Sequence, residues 1–252
     1  MIPIIYENDE IIIINKPAGL AVQGGNGVVH SVDRDFAEQL GYKIYLVHRL
    51  DKDTCGLMIV AKNPVAAGKW TKLIGSKVAR KEYVALCAGR MPSKSGVIKE
   101  DVVQHGDTKA AVTHYKVEKE WTVNTEEIPK QVRDDAHPAE LDSARHAELD
   151  SSRHAELDSA RHAELVSASI PLSLIRLTLE TGRMHQIRIH LAKNGCPIAG
   201  DDQHGNFKMN KLLKKVCKIK RLQLAAVRLT IPLEGKDKTF EVPVPFDFKD
   251  EV

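Results

Sequence analysis

Cysteine is scarce in this 252-residue chain, and the four present, Cys55, Cys87, Cys196 and Cys217, are scattered with no CxxC pair. That spacing argues against a zinc site and a disulfide framework, and predicts reduced, buried thiols. Long apolar runs are missing too: none reaches the roughly 18 residues that span a bilayer. The opening MIPIIYENDE lacks the basic region and cleavage site of a signal peptide, so a cytoplasmic protein without membrane contact is expected. No nucleotide or metal motif occurs, and no cofactor and no metal are expected. Net charge is small, formally +3, but it is uneven. The segment from 137 to 169 holds seven acidic and three basic residues, so the remainder has 34 basic against 27 acidic, a modest lean toward polyanionic partners. With 42% hydrophobic residues the chain can bury a full core, as one large or two small domains.

That acidic segment repeats an eight-residue unit: HAELDSSR at 146–153, HAELDSAR at 154–161 and a decayed HAELVSAS at 162–169. The period is far below the roughly 20 to 50 residues of solenoid repeats. On a helix the single Leu of each unit drifts by roughly 80° per repeat, so no continuous apolar stripe forms. An exposed low-complexity insertion, disordered or transiently helical, is expected. Its histidines, His146, His154 and His162, lie eight apart rather than the four that put two ligands on one helical face, which argues against a metal site.

Along the rest of the chain, the first 22 residues read as strand, turn, strand, and Ser31 is placed to cap a helix running to about Leu40. Asn63 and Pro64 open a helix whose Ala66, Ala67, Trp70, Leu73 and Ile74 share one face. Lys81 to Ala88, Gly96 to Val103 and Lys109 to Lys119 read as strands of an antiparallel meander. Ile175, Leu177 and Leu179 alternate with Arg176 and Thr178 as in a half-buried strand. Leu222 to Ile231 and Thr239 to Val244 read as a closing strand pair. Strands outnumber helices and rarely alternate with them, so the expected class is α+β, a largely antiparallel mixed sheet with flanking helices.

One stretch breaks this regularity. In HRLDKDTCGLMIVAKN, His48 to Asn63, the polar knot of Arg49, Asp51, Lys52 and Asp53 sits between Ile44–Val47 and Leu57–Ala61, both strand-like. Two readings stay open from spacing alone: an ordinary turn, since Asp and Thr bond nearby backbone and Gly56 is permissive, or a polar loop presented by a rigid scaffold as a site.

The run closely resembles the HRLDxxTSGLLLxAK signature of RluA-type RNA pseudouridine synthases. Three further blocks resemble the same family in the same order. IIYENDEIIIINKPAGLAV at 4–22 is similar to its opening strand pair with NKPxG, and Lys81, Glu82 and Tyr83 match KxY. TGRMHQIRIHLAKNGCPIAGDDQHG at 181–205 resembles TGRxHQIRxHxxxxGxPIxGDxxYG. The resemblance implies one catalytic domain over 1–252, interrupted at about 125–170 by the repeat insertion, and isomerisation of uridine to pseudouridine in RNA. It makes Asp51 the essential carboxylate, as nucleophile or base on the ribose, Arg188 its cationic partner and Tyr83 the aromatic that receives a flipped base. Arg49, Arg183, His185 and Lys81 are expected to contact RNA. So are Lys208, Lys211 and Lys215, from a basic run that in isolation also reads as a solvated face. Ribosomal RNA of the large subunit is the expected partner, the alternatives being the same activity on tRNA or a noncatalytic RNA-binding protein retaining the fold, and the protein is expected to be monomeric with no RNA-binding domain ahead of the catalytic blocks. The sequence departs from the pattern at Cys55 (usually Ser), His204 (usually Tyr) and Ala225 (usually His), changes expected to touch packing near the site more than the chemistry.

Overall fold

The computed structural model describes residues 1–104, 106–124 and 169–246. The reading of the octapeptide repeat therefore lies outside the described residues, except that Ser169 opens a strand. In chain order the elements are β1 (Ile4–Glu7), β2 (Ile11–Lys16), a π-helical turn (Val32–Phe36) running into α1 (Ala37–Leu40), β3 (Tyr45–Leu46), β4 (Cys55–Ala61) and α2 (Pro64–Gly75). There follow β5 (Arg80–Ala88), β6 (Ser95–Lys99), β7 (Val102–Gln104), β8 (Asp107–Lys109), β9 (Val112–Asn124) and β10 (Ser169–Leu179). Helices α3 (Gln186–Lys193) and α4 (Phe207–Val216) and strands β11 (Leu224–Leu233) and β12 (Lys236–Glu241) complete the described chain. None of these helices is long and apolar enough to cross a membrane.

The strands form one mixed sheet of order β1-β2-β4-β11-β5-β10-β9-β6, with β12 on β11 and β3 on β4; β7 and β8 form a separate hairpin. Among the described residues the named strands pair antiparallel except β4 with β11, which meet in parallel at Cys55–Ala225 and Gly56–Ala226. The α+β class holds; the meander does not. β5 pairs with β10 and β11, because β10 is inserted between β5 and β9, and β6 pairs with β9. Long-range partners of this kind leave no mark on local hydrophobic alternation. The single strand expected from Gly96 to Val103 is broken at Glu100 and Asp101, and the one expected to end at Lys119 runs on to Asn124. The strand before the polar loop is only two residues long and half-buried, so the loop is not flanked by two buried strands. Ser31 precedes the π-turn without capping it; its hydroxyl donates to the Asp33 carboxylate instead.

Alternation sorts the core between the two faces of the sheet. Ile12, Ile14, Met58, Val60, Tyr83, Ala85, Ile175 and Leu177 face one side, where Ile187 and Leu191 of α3 and Phe36 pack on them. On the other side, α2 sets Trp70 and Ala66 against Ile11, Ile13, Leu57 and Ile59, while α4 sets Leu213 against Val84, Leu86 and Val227. Asn63 caps α2 as the sequence indicates, its side chain accepting the Ala66 N–H at 2.9 Å ahead of Pro64.

The parallel contact brings the functional strands level. Gly56 is opposite Ala226, and Ala226 is opposite Tyr83, so the loop just before β4 opens beside Tyr83. Close approach requires glycine: Gly56 has φ +109, and a Cβ there would lie 2.2 Å from the Ala226 carbonyl oxygen. Gly56→Ala should therefore cost about 3 kcal/mol or more, through backbone strain and overpacking together. Urea denaturation checks this, and a midpoint equal to the parent's would show that the sheet relaxes around the methyl.

Candidate active site

A cleft of about 1070 Å³ opens on the face that carries Tyr83 and α3. Arg49, Asp51, Lys81, Tyr83, Arg183, His185 and Arg188, seven residues nominated from the sequence, all line it. Lys208, Lys211 and Lys215 do not. They are exposed on α4, whose buried Leu213 packs against the opposite face of the sheet from Tyr83.

The loop bearing Asp51 is held at both ends and beneath. Leu50 is buried in the core, and the Thr54 N–H donates to the Asp51 carbonyl at 3.2 Å, closing the turn. Ahead of it, His48 Nε2 accepts the Ile59 N–H at 3.0 Å, which ties the loop to β4. Beneath lies Lys16, fully buried at the end of β2. Its Nζ donates to the carbonyls of Leu20 (2.7 Å), Lys52 (2.9 Å) and Pro17 (3.0 Å). The Lys52 carbonyl also accepts the Gly19 N–H, so the NKPAG turn and the Asp51 loop share one acceptor. Burial lowers the Lys16 ammonium to about 8, while the neighbouring Cys55, Asp53 and Asp51 favour its charged form.

Because His48 must present a lone pair to Ile59, it is neutral, and burial together with the charge of Lys81 pushes it well below the usual 6.5. The folded state thus binds fewer protons than the unfolded one below that value. Stability from this group is fully present above about pH 6.5 and is lost as pH falls toward the depressed folded value. Lowered His190 and His204 add in the same direction. Urea midpoints should drop from about pH 7.5 to about pH 5.5, less steeply in His48→Gln, which keeps an acceptor. A pH-independent midpoint would contradict the neutral assignment.

Asp51 is half-buried and faces two basic side chains: Arg188 Nη1 is 3.7 Å from Oδ2 and His185 Nε2 is 3.9 Å from Oδ1. Arg188 sits in the first turn of α3 and is itself fixed by Asp201. Its Nε donates to Asp201 Oδ2 at 2.8 Å and its Nη2 to Oδ1 at 2.6 Å, a two-point pairing with both partners buried. Asp201 also accepts the N–H groups of Gln203 and His204, each at 3.0 Å. Burial opposes charge on both groups, but their mutual hydrogen bonds and charges prevail, raising Arg188 and holding Asp201 below the ordinary carboxylate range.

His185 reaches Asp51 from a turn and not from a helix. It is the residue before α3, in the left-handed region at φ 54. The entry to the helix is secured by Gln186, whose oxygen accepts from Thr181 Oγ1 (2.7 Å) and Arg183 N–H (3.0 Å). Its amide donates to the Val112 carbonyl and Thr113 Oγ1, each at 3.0 Å. His185 Nδ1 and His204 Nε2 are 2.9 Å apart.

The Tyr83 phenol is driven upward by burial first and then by the charge of Asp51, so it stands protonated at neutral pH. It can donate a hydrogen bond and stack, but it is not poised as a phenolate. Lys81, half-buried on the cleft wall, is lowered to about 8 by desolvation. Arg49 and Arg183 are exposed on the rim; Arg183 Nε also donates to the Ala110 carbonyl at 3.2 Å.

Sequence reasoning passed over Lys16, His48, Gln186 and Asp201. Each lies inside a quoted block, yet an isolated charge or amide gives no sign that its side chain turns inward. Of the three departures, Ala225 is buried on the sheet face away from Tyr83, and Cys55 Sγ is 3.6 Å from the Leu224 carbonyl. His204 touches His185 directly.

A family model described as RNA pseudouridylate synthase matches residues 10–193. The chain is 30% identical over 259 residues to ribosomal large subunit pseudouridine synthase C of Rickettsia prowazekii (strain Madrid E), covering 97% of this chain and 69% of that protein. It is 31% identical over 265 residues to ribosomal large subunit pseudouridine synthase D of Nitrosomonas europaea, covering 97% and 62%. Among solved structures, human RNA pseudouridylate synthase domain containing 1 superposes with a TM-score of 0.65 at 20% identity, covering 98% of this chain and 84% of that one, a likeness of fold.

Proposed function

The chain belongs to the RNA pseudouridylate synthase family, of the RluA type, and is an RNA pseudouridine synthase; from this premise we propose that it acts on a uridine of large-subunit ribosomal RNA through Asp51. The observation that carries the second half is a carboxylate in a deep cleft with Arg188 against one oxygen and His185 against the other. The two curated relatives described above bear the names of large-subunit enzymes, which favours ribosomal RNA over tRNA. The same reading treats the chain as one catalytic domain, with the octapeptide repeat inserted between β9 and β10.

The reaction breaks the N1–C1′ bond, turns the freed uracil and forms a C5–C1′ bond. The C5 proton is lost and N1 gains one, so no electrons are exchanged with a second reactant. Asp51 acts on the ribose, as nucleophile or as base, with Arg188 and His185 beside its two oxygens. A uridine within folded RNA must first be flipped out, at a cost of a few kcal/mol. Stacking on Tyr83 returns about 1 to 3 kcal/mol of it. Arg49 and Arg183 at the rim, with Lys81 on the cleft wall, meet the backbone phosphates, so binding weakens steeply with salt. Lys208, Lys211 and Lys215, on the far face of the sheet, add phosphate contacts only to an RNA that extends beyond the cleft.

The test uses unmodified transcripts of the source cell's large-subunit ribosomal RNA and of its tRNAs, labelled with tritium at uracil C5. Stoichiometric tritium release from the ribosomal transcript alone is expected. Release from tRNA alone would move the substrate to tRNA, and release from neither would overturn the choice of RNA.

A further inference from the structure

We infer that His204 is a positioning residue for the isomerisation: its Nε2–H donates to His185 Nδ1, so that His185 turns an N–H, and not a lone pair, toward Asp51. This rests on the reading of Asp51 as the acting carboxylate and extends it to the side chain that orients one of its partners.

The rings of His185 and His204 share one hydrogen bond. With His185 Nδ1 and His204 Nε2 at 2.9 Å, one nitrogen carries the proton and the other accepts it. In one arrangement His185 donates, and its Nε2 is left as a lone pair aimed at Asp51 Oδ1, 3.9 Å away. In the other His204 donates, and His185 Nε2–H faces that oxygen. Two electron-rich atoms repel and an N–H attracts, so the carboxylate selects the second arrangement. The rings meet edge to face, with centroids 5.1 Å apart, which leaves His185 little freedom to turn out of it.

The surroundings keep His204 neutral, so that it has a single N–H. Burial, then the positive charge of Arg188, push His204 below its usual range, with His185 acting in the same direction and Asp201 and Asp51 in the opposite one. Its backbone N–H is tied to Asp201 Oδ1 at 3.0 Å, and that carboxylate also holds Arg188. Asp201 therefore fixes both arms that flank Asp51: Arg188 directly, and His185 through His204. A separation of 3.9 Å is longer than a hydrogen bond, and such contacts tighten when substrate fills the cleft.

The experiment combines nitrogen-15 spectra of the histidine rings with kinetics on the RNA substrate. In the parent protein above the histidine titrations, both His185 and His204 should appear as Nε2–H tautomers. His204→Phe keeps a ring and removes the donor; kcat should fall about tenfold, with KM for RNA within about twofold. His204→Gln, whose amide can donate, should restore most of the rate. Thermal melts identify a variant that fails to fold, and in that event the parent spectrum alone decides. An Nδ1–H tautomer at His185, or an unchanged kcat in folded His204→Phe, overturns the inference. Asp51→Asn separates the two claims: if it stays active, the reading of Asp51 fails whatever the histidines do. If it is inactive while His204→Phe is unchanged, only the role of His204 fails.

Discussion

Asp51→Asn should lower kcat by about a thousandfold or more, within the range typical of a lost acid–base or nucleophilic group. RNA affinity should stay equal or rise, because the substitution removes a negative charge that faces phosphates. The fold should hold, since Asp51 is half-buried and lies 3.7 Å and 3.9 Å from its basic neighbours, too far for strong hydrogen bonds. The signature is thus a folded protein that binds RNA and does not turn it over. Single-turnover tritium release and a filter-binding titration on the same preparation check it. A rate within tenfold of the parent would remove Asp51 from the chemistry.

Arg188→Met should damage both stability and activity, by separable routes. The substitution strips Asp201 of a two-point partner while Asp201 is only 1% exposed, leaving a buried carboxylate with two backbone N–H groups. Breaking a buried pair in this way costs about 3 to 5 kcal/mol. Activity falls as well, because Asp51 loses the guanidinium 3.7 Å from Oδ2. Adding Asp201→Asn removes the orphaned charge while its oxygen still accepts from Gln203 and His204. The double variant should therefore recover most of the lost stability and none of the lost rate. Chemical denaturation and tritium release on the three proteins test this. Recovery of rate in the double variant would show that Arg188 serves the fold alone.

Legibility from sequence followed the range of the interaction. The loop at Asp51, the α2 cap at Asn63 and the alternation of β10 are local patterns, and each stands where the residues indicate. The cleft brings together Asp51, Tyr83 and Arg188 from three separated blocks, and block resemblance, not periodicity, nominated them. What was illegible depends on distant partners. Nothing in Arg80–Ala88 announces that β10 and β11 are its neighbours. Lys16 reads as a break after an apolar run, yet it is fully buried because three carbonyls from two loops converge on it. The basic run at 208–221 gives its charge but not its side; only the packing of Leu213 puts α4 behind the sheet. Nothing in the sequence marks the left-handed turn that aims His185, which is set by Gln186 reaching across to β9.

The most direct test of the account is a map of pseudouridine in large-subunit ribosomal RNA from cells lacking this gene, complemented with the parent protein or with Asp51→Asn. At least one site should vanish on deletion, return with the parent and stay absent with Asp51→Asn. If no site vanishes, or if Asp51→Asn restores every site, the account is contradicted.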